Sequence, residues 1–254
     1  MLLENLTWPE VKKLKLSDKV VIFPLGSFEQ HGHHLPLTTD TDIVTAIARR
    51  IEEKRAEKVL CLPTLWPGHS THHLFFPGTL SVKQMPYIQL VIELCSSIVN
   101  FGAEKVFLLN GHGGNDVPLR TALRELKSLF PKTKFVFASY WSIASQSIKE
   151  TRESELGGLG HACEMETSVM LYLHPEKVKM KLARRDGPRH KDTYRKSDML
   201  YGRPVYFVNE FQEVTKTGVI GHPDLASAEK GKRFLEGIVR EVMAFVDEFG
   251  KWQE

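Results

Sequence analysis

The stretch Val20-Val21-Ile22-Phe23-Pro24-Leu25-Gly26-Ser27-Phe28-Glu29-Gln30-His31-Gly32-His33-His34-Leu35-Pro36-Leu37-Thr38-Thr39-Asp40 places a short apolar run directly before a dense polar cluster. Val20-Val21-Ile22-Phe23 is brief and is bounded by turn residues, so it reads as a buried strand. Val106-Phe107-Leu108-Leu109 and Lys134-Phe135-Val136-Phe137 read the same way. Near-continuous apolar runs of this kind suit a sheet covered on both faces. Helical periodicity fills the intervals. Residues 42–54 put Ile43, Ala46, Ile47 and Ile51 on one face, and residues 87–101 do so with Ile88, Val91, Leu94, Cys95 and Ile98. Asn115, Asp116 and Pro118 suit a helix start, and Leu119, Ala122, Leu123, Leu126 and Phe130 form the stripe that follows. Residues 226–249 read as a long last helix. Strand–helix alternation implies an α/β fold with a mainly parallel sheet, expected here as one domain over residues 1–254.

The composition excludes several classes. Of 254 residues, 42 % are hydrophobic and 26 % charged, which is too apolar for a disordered chain. No run approaches the roughly 18–20 apolar residues of a membrane span. The N-terminus shows no basic region followed by an apolar run, so no signal peptide is expected. Lys plus Arg is 34 and Asp plus Glu is 31, and a net charge of +3 gives no argument for nucleic acid. Cys61, Cys95 and Cys163 form no CxxC pair, which fits a reducing, cytoplasmic setting. Residues 177–195 hold Arg184, Arg185, Arg189, Lys191 and Arg195 around Gly187-Pro188, and read as an irregular basic excursion, either solvated or approaching an anionic substrate or a neighbouring subunit.

The chemistry collects in four places. Glu29 and His31 are two apart and project to one side of an extended segment. Asp40 opens the next helical pattern, where the chain can fold back. Two carboxylates and an imidazole so placed can hold a divalent metal. The second cluster, Leu108-Leu109-Asn110-Gly111-His112-Gly113-Gly114-Asn115, also follows a strand and precedes a helix. Open α/β sheets place ligands beyond the carboxyl ends of their strands, so His112 joins the candidate ligands. No Gly-Lys-Ser/Thr follows, so this is not a P-loop. In the third, Gly160-His161-Ala162-Cys163-Glu164-Met165-Glu166-Thr167-Ser168, a helix through all of these residues makes His161 and Glu164 neighbours and turns Glu166 elsewhere. Glu164 is therefore the expected partner of His161. The fourth, residues 66–80, lacks periodicity and offers Ser70 and His73 as residues lining a pocket.

With these motifs in order, the sequence resembles the creatininase (creatinine amidohydrolase) family. The resemblance rests on residues 26–36 with Asp40, on residues 110–115, on residues 161–168, on Phe76-Pro77-Gly78-Thr79 and on Gly218-Val219-Ile220-Gly221-His222-Pro223. It implies a three-layer α/β/α domain with a two-metal hydrolase site, commonly in hexamers. Position by position it implies that Glu29, Asp40 and His112 hold one metal. His31 and Asp40 would hold the second, with Asp40 bridging, and His161 matches the catalytic histidine. Creatinine-hydrolysing members carry a second-metal Glu where this chain has Gly114, and Glu164 is the expected substitute. They carry a Trp on a mobile loop where this chain has Gly157, and Trp141 is the remaining candidate for a ring against the substrate.

The expected function is a metal-dependent amidohydrolase of a non-peptide C–N bond, in a cyclic amide or formamide, with Glu164 and His161 as catalytic residues. Two divalent ions, zinc first and manganese or iron otherwise, would supply a bridging hydroxide. His161 would donate a proton to the departing nitrogen. The expected partners are a small-molecule substrate and further copies of the chain, with neither nucleic acid nor membrane. Two alternatives stand beside it. One is C–C hydrolysis of a cyclic diketone, as in inositol catabolism. The other is a metal-binding maturation or regulatory protein without small-molecule turnover.

Overall fold

The computed structural model describes residues 1–188, 194–195, 198–202 and 204–253. Arg189 and Lys191 of the basic excursion lie outside the described residues. Four parallel strands form the main sheet: β1 (Val20–Leu25), β2 (Val59–Cys61), β3 (Lys105–Asn110) and β4 (Lys134–Ser139), in the order β2-β1-β3-β4. Three are the expected runs, each extended by two residues or so. β2, only three residues long, was not expected.

Side chains of the two central strands alternate between two cores. Val20, Ile22, Phe107 and Leu109 face one of them, with the helices Thr39–Arg55, Glu164–Leu173 and Ala228–Phe249. Val21, Phe23, Leu25, Val106 and Leu108 face the other, with the helices Gln84–Asn100 and Asp116–Leu129. Both faces of the sheet are thus covered by helices in a three-layer α/β/α arrangement, which is why β1 and β3 lack the polar alternation of a half-exposed sheet.

β1 occupies the topological switch point. The chain leaves it for β2 on one side and reaches β3 on the other. The helices that follow β1 and β3 pack on opposite faces, so the loops at their carboxyl ends diverge and leave a crevice. A second pairing, antiparallel between β5 (Leu159–His161) and β6 (Ile220–Gly221), stands beside this crevice and was not expected. The three cysteines are free and buried. Among the described residues no helix is long and apolar enough to cross a membrane.

Candidate metal centre

The loop after β1 brings Glu29 and His31 to the crevice, and the first turn of the helix Thr39–Arg55 adds Asp40. The loop after β3 adds His112, and the first turn of the helix Glu164–Leu173 adds Glu166. Ligand atoms of Glu29, Asp40 and His112 lie within 4.8 Å of one another, as do those of His31, Asp40 and Glu166. Asp40 belongs to both groups. Its Oδ1 is 3.1 Å from His31 Nε2 and its Oδ2 is 3.0 Å from His112 Nδ1, which is 3.2 Å from Glu29 Oε2.

All five residues are buried, none more than 4 % exposed. Three carboxylates sharing so small a volume need compensating positive charge. Within the cluster only histidines face them, and Glu29 Oε1 and Asp40 Oδ2 have no aligned hydrogen-bond donor. A buried carboxylate oxygen without a partner costs free energy. Divalent cations would satisfy both oxygens, and the mixed carboxylate and imidazole set suits such ions. The residues present therefore fit a divalent metal centre.

Electrostatics within the cluster follow from burial set against proximity. Burial alone would lower His31, but the Asp40 carboxylate overcomes it and holds the imidazolium up to about 9. Burial would lower His112 likewise, yet Glu29 and Asp40 raise it well above the ordinary range. Burial pushes Glu166 up to about 7. Burial, then the neighbouring His31, drops His161 to about 3.

The expected role of Glu164 requires correction. His161 ends β5 and is not helical; Ala162 turns through φ 49° and the helix begins only at Glu164. The three-residue spacing of a helix therefore does not relate His161 to Glu164. Glu164 accepts hydrogen bonds from the backbone N–H of Glu153 (3.0 Å) and Ser154 (2.9 Å) and pairs with Lys230 Nζ at 2.8 Å. Glu166 faces the cluster instead, with Oε2 accepting from the Cys163 N–H at 3.2 Å. The signal for this was a helix cap followed three residues later by Glu.

His161 lies 3.7 Å through Nδ1 from Glu29 Oε1, and its Nε2 donates to the Gln30 carbonyl at 2.7 Å. Its Nδ1 also falls within 4.8 Å of ligand atoms of Glu29 and His31. Ser70 does not line a pocket. It is fully buried, 2.6 Å from Ser27 Oγ and 3.2 Å from His112 Nε2, while Ser27 donates to Glu29 Oε2 at 2.8 Å. The two hydroxyls brace the ligands from behind. His73 does reach the cluster, with Nε2 3.3 Å from Glu29 Oε1. Trp141 does not: it packs edge-on to Tyr140 and against the core cluster. An added Cβ at Gly114 would meet the His69 carbonyl at 2.3 Å and His112 Nε2 at 2.4 Å, so no carboxylate can arise from that position.

Sequence reasoning missed Ser27, Gln30 and Phe211. Phe211 lines a cavity of about 730 Å³ together with His72, Gly114, Arg185 and Tyr206. Its ring also lies against that of His73, with centroids 3.8 Å apart and planes tilted by 34°, and meets His161 edge-on at 4.9 Å. The Arg185 guanidinium at this cavity is paired with both oxygens of Asp224 at 2.7 Å.

Comparison with known proteins gives the same family as the motifs. The creatininase family profile, described as creatinine amidohydrolase, matches residues 4–246. The chain is 31 % identical to a 3-dehydro-scyllo-inosose hydrolase of Thermotoga maritima, over 94 % of this chain and 83 % of that one. It is 32 % identical to a mycofactocin precursor peptide peptidase of Mycobacterium tuberculosis, over 86 % and 81 %. A solved creatininase described as a manganese form superposes with a TM-score of 0.77 at 27 % identity, covering 97 % of each chain.

Proposed function

The chain belongs to the creatininase family of hydrolases, and from that premise we propose that it is a metal-dependent amidohydrolase opening a non-peptide C–N bond, in a cyclic amide or formamide, of a small molecule. The observation that carries the reading is the Asp40 carboxylate, with one oxygen 3.1 Å from His31 and the other 3.0 Å from His112. A carboxylate presenting one oxygen to each of two ligand groups would be shared by ions held in both.

Glu29 and His112 would complete one position around Asp40, and His31 and Glu166 the other. Zinc is favoured, and manganese or iron suit the same donors. A pair of divalent ions there would acidify water and polarise a carbonyl. The protein's own part is positional. Ser27 and Ser70 keep Glu29 and His112 in place. Burial lowers the local dielectric, which strengthens every charge interaction within the cluster. His161 stands beside Glu29 with Nδ1 inward. A proton taken up there would be passed to the departing nitrogen.

The Thermotoga maritima relative favours a second reading on the same cluster, C–C hydrolysis of a cyclic diketone. The family premise also carries the proposal of a homo-oligomer, hexameric in form, while the chain's organisation and its three free cysteines support the proposals of one domain and a reducing, cytoplasmic setting.

The test is elemental analysis of the purified protein, then a turnover screen of cyclic amides, formamides and cyclic diketones with the bound metal restored. About two metals per chain and turnover confined to the first two classes is the expected result. A protein that retains no metal and turns over none of them would falsify the reading.

A further inference from the structure

Gln30 lies between the candidate ligands Glu29 and His31, and its side-chain amide, which is in none of the candidate ligand groups, reaches a set of fixed partners. Its Oε1 accepts from the Gly32 N–H at 2.9 Å, and its Nε2 donates to the Gly218 carbonyl at 3.2 Å. A backbone N–H can only donate and a backbone carbonyl can only accept, so these two contacts settle which end of the amide is oxygen. The position is shaped for this side chain: Gly218 has φ +79°, and a Cβ there would fall 1.9 Å from Gln30 Oε1.

Nε2 carries two hydrogens and faces three groups: the Gly218 carbonyl, His73 Nδ1 at 2.9 Å and His161 Nε2 at 3.2 Å. His161 Nε2 is also 2.7 Å from the Gln30 carbonyl, which only accepts. That nitrogen therefore bears its own hydrogen and is no acceptor for the amide. The two amide hydrogens are left for Gly218 and for His73 Nδ1. In consequence His73 Nδ1 is a lone pair and its hydrogen is on Nε2, the nitrogen 3.3 Å from Glu29 Oε1. His161 is the opposite case as seen from the cluster, since its inward nitrogen, Nδ1, is the lone pair.

We propose that Gln30 is a positioning residue that sets the proton inventory of the centre: its side-chain amide makes His73 a hydrogen-bond donor to whatever occupies the site, while its carbonyl makes His161 an acceptor. The site then presents one donor and one base on the same side of Glu29, the pair of functions needed to hold an oxygen and to take up a proton from the same reacting group. The inference gives named roles within the hydrolase reading and rests on it for its catalytic meaning, but not for the tautomers themselves.

The experiment is two-bond ¹H–¹⁵N correlation spectroscopy of the full-length, zinc-loaded protein labelled in its 11 histidines. Each ring is assigned by a single His→Gln replacement. Both His73 and His161 are expected to carry hydrogen on Nε2. Gln30→Glu, which cannot donate from that position, is expected to move the His73 hydrogen to Nδ1 and to leave His161 as it was. Gln30→Met, which offers neither group, is expected to leave His73 as a mixture of both forms. Hydrogen on His73 Nδ1 in the unaltered protein overturns the proposal without any variant, as does a His73 signal indifferent to both replacements. Zinc content of the same samples reports separately on the hydrolase reading, so the two failures are distinguishable.

Discussion

Glu166 and Glu164 are two residues apart on one helix, and their carboxylates meet opposite fates. Glu166 faces His31 and Asp40, while Glu164 is locked to Lys230 and two backbone N–H groups. Glu166→Gln is therefore expected to lose about one of two bound metals, and Glu164→Gln to lose neither, as counted by elemental analysis. Glu164→Gln should instead cost roughly 3 kcal/mol of unfolding free energy, since it leaves a buried ammonium with a partner gone; denaturant titration reads this. His161→Ala is expected to keep its metal and to lose about 10²–10⁴-fold in turnover, the usual worth of a positioned proton donor. Loss of metal in that variant would move His161 among the ligands. Metal affinity also carries a pH signature. Without metal, His31 holds its proton up to about pH 9 and Glu166 up to about pH 7. His112, raised well above the ordinary range by Glu29 and Asp40, is protonated as well. These protons must leave for the atoms to ligate, so apparent affinity rises with pH through this range. Competition against a chromophoric chelator across that range measures it, and a flat profile would contradict the assignment.

At the scale of elements, the turn between β3 and the helix Asp116–Leu129 has room for glycine alone at position 114. The obstacle is the His69 backbone carbonyl at 2.3 Å, which no rotamer can move. Gly114→Ala is expected to displace His112 or the 69–73 segment. Overpacking by one methyl costs about 1–3 kcal/mol, and the expected consequence is a fall of about tenfold or more in zinc affinity, read by the same chelator competition. The element scale also shows what the sequence makes legible. β1, β3 and β4 announce themselves because both of their neighbouring layers are apolar, and the polar residues at their carboxyl ends then stand out. Glu29, His31, Asp40 and His112 were readable for that reason, and the structure brings them together. β2 and β5 are three residues each, too short to carry a pattern. Ala162 gives no sign of its left-handed turn, because Ala is an ordinary helix former and only its tertiary setting holds φ at 49°. That one residue shifts the start of the following helix, and with it the choice between Glu164 and Glu166. Gln30 and Ser27 were passed over because uncharged polar residues in a loop look alike until their partners are known.

Across the whole molecule, the candidate ligands come from residue 29 through residue 166 and from loops diverging toward opposite faces of the sheet. Cations held by all of them would join the two core layers at the switch point, so metal should stabilise the global fold and not one loop. A ligand that binds only the folded state contributes RT ln(1 + [L]/Kd), about 2.7 kcal/mol per site at a hundredfold excess over Kd. For a chain of this size 1 kcal/mol moves the melting temperature by roughly 2–4 °C, so each occupied site corresponds to roughly 5–10 °C. Relief of the repulsion among Glu29, Asp40 and Glu166 in their buried space is part of that binding free energy. Calorimetry before chelation, after chelation and after reloading with zinc is expected to show a reversible fall of roughly 10–20 °C for two sites, and Glu166→Gln to show about half of that. A melting temperature unmoved by chelation, in protein shown by elemental analysis to have lost its metal, would mean that these residues gather without a cation between them.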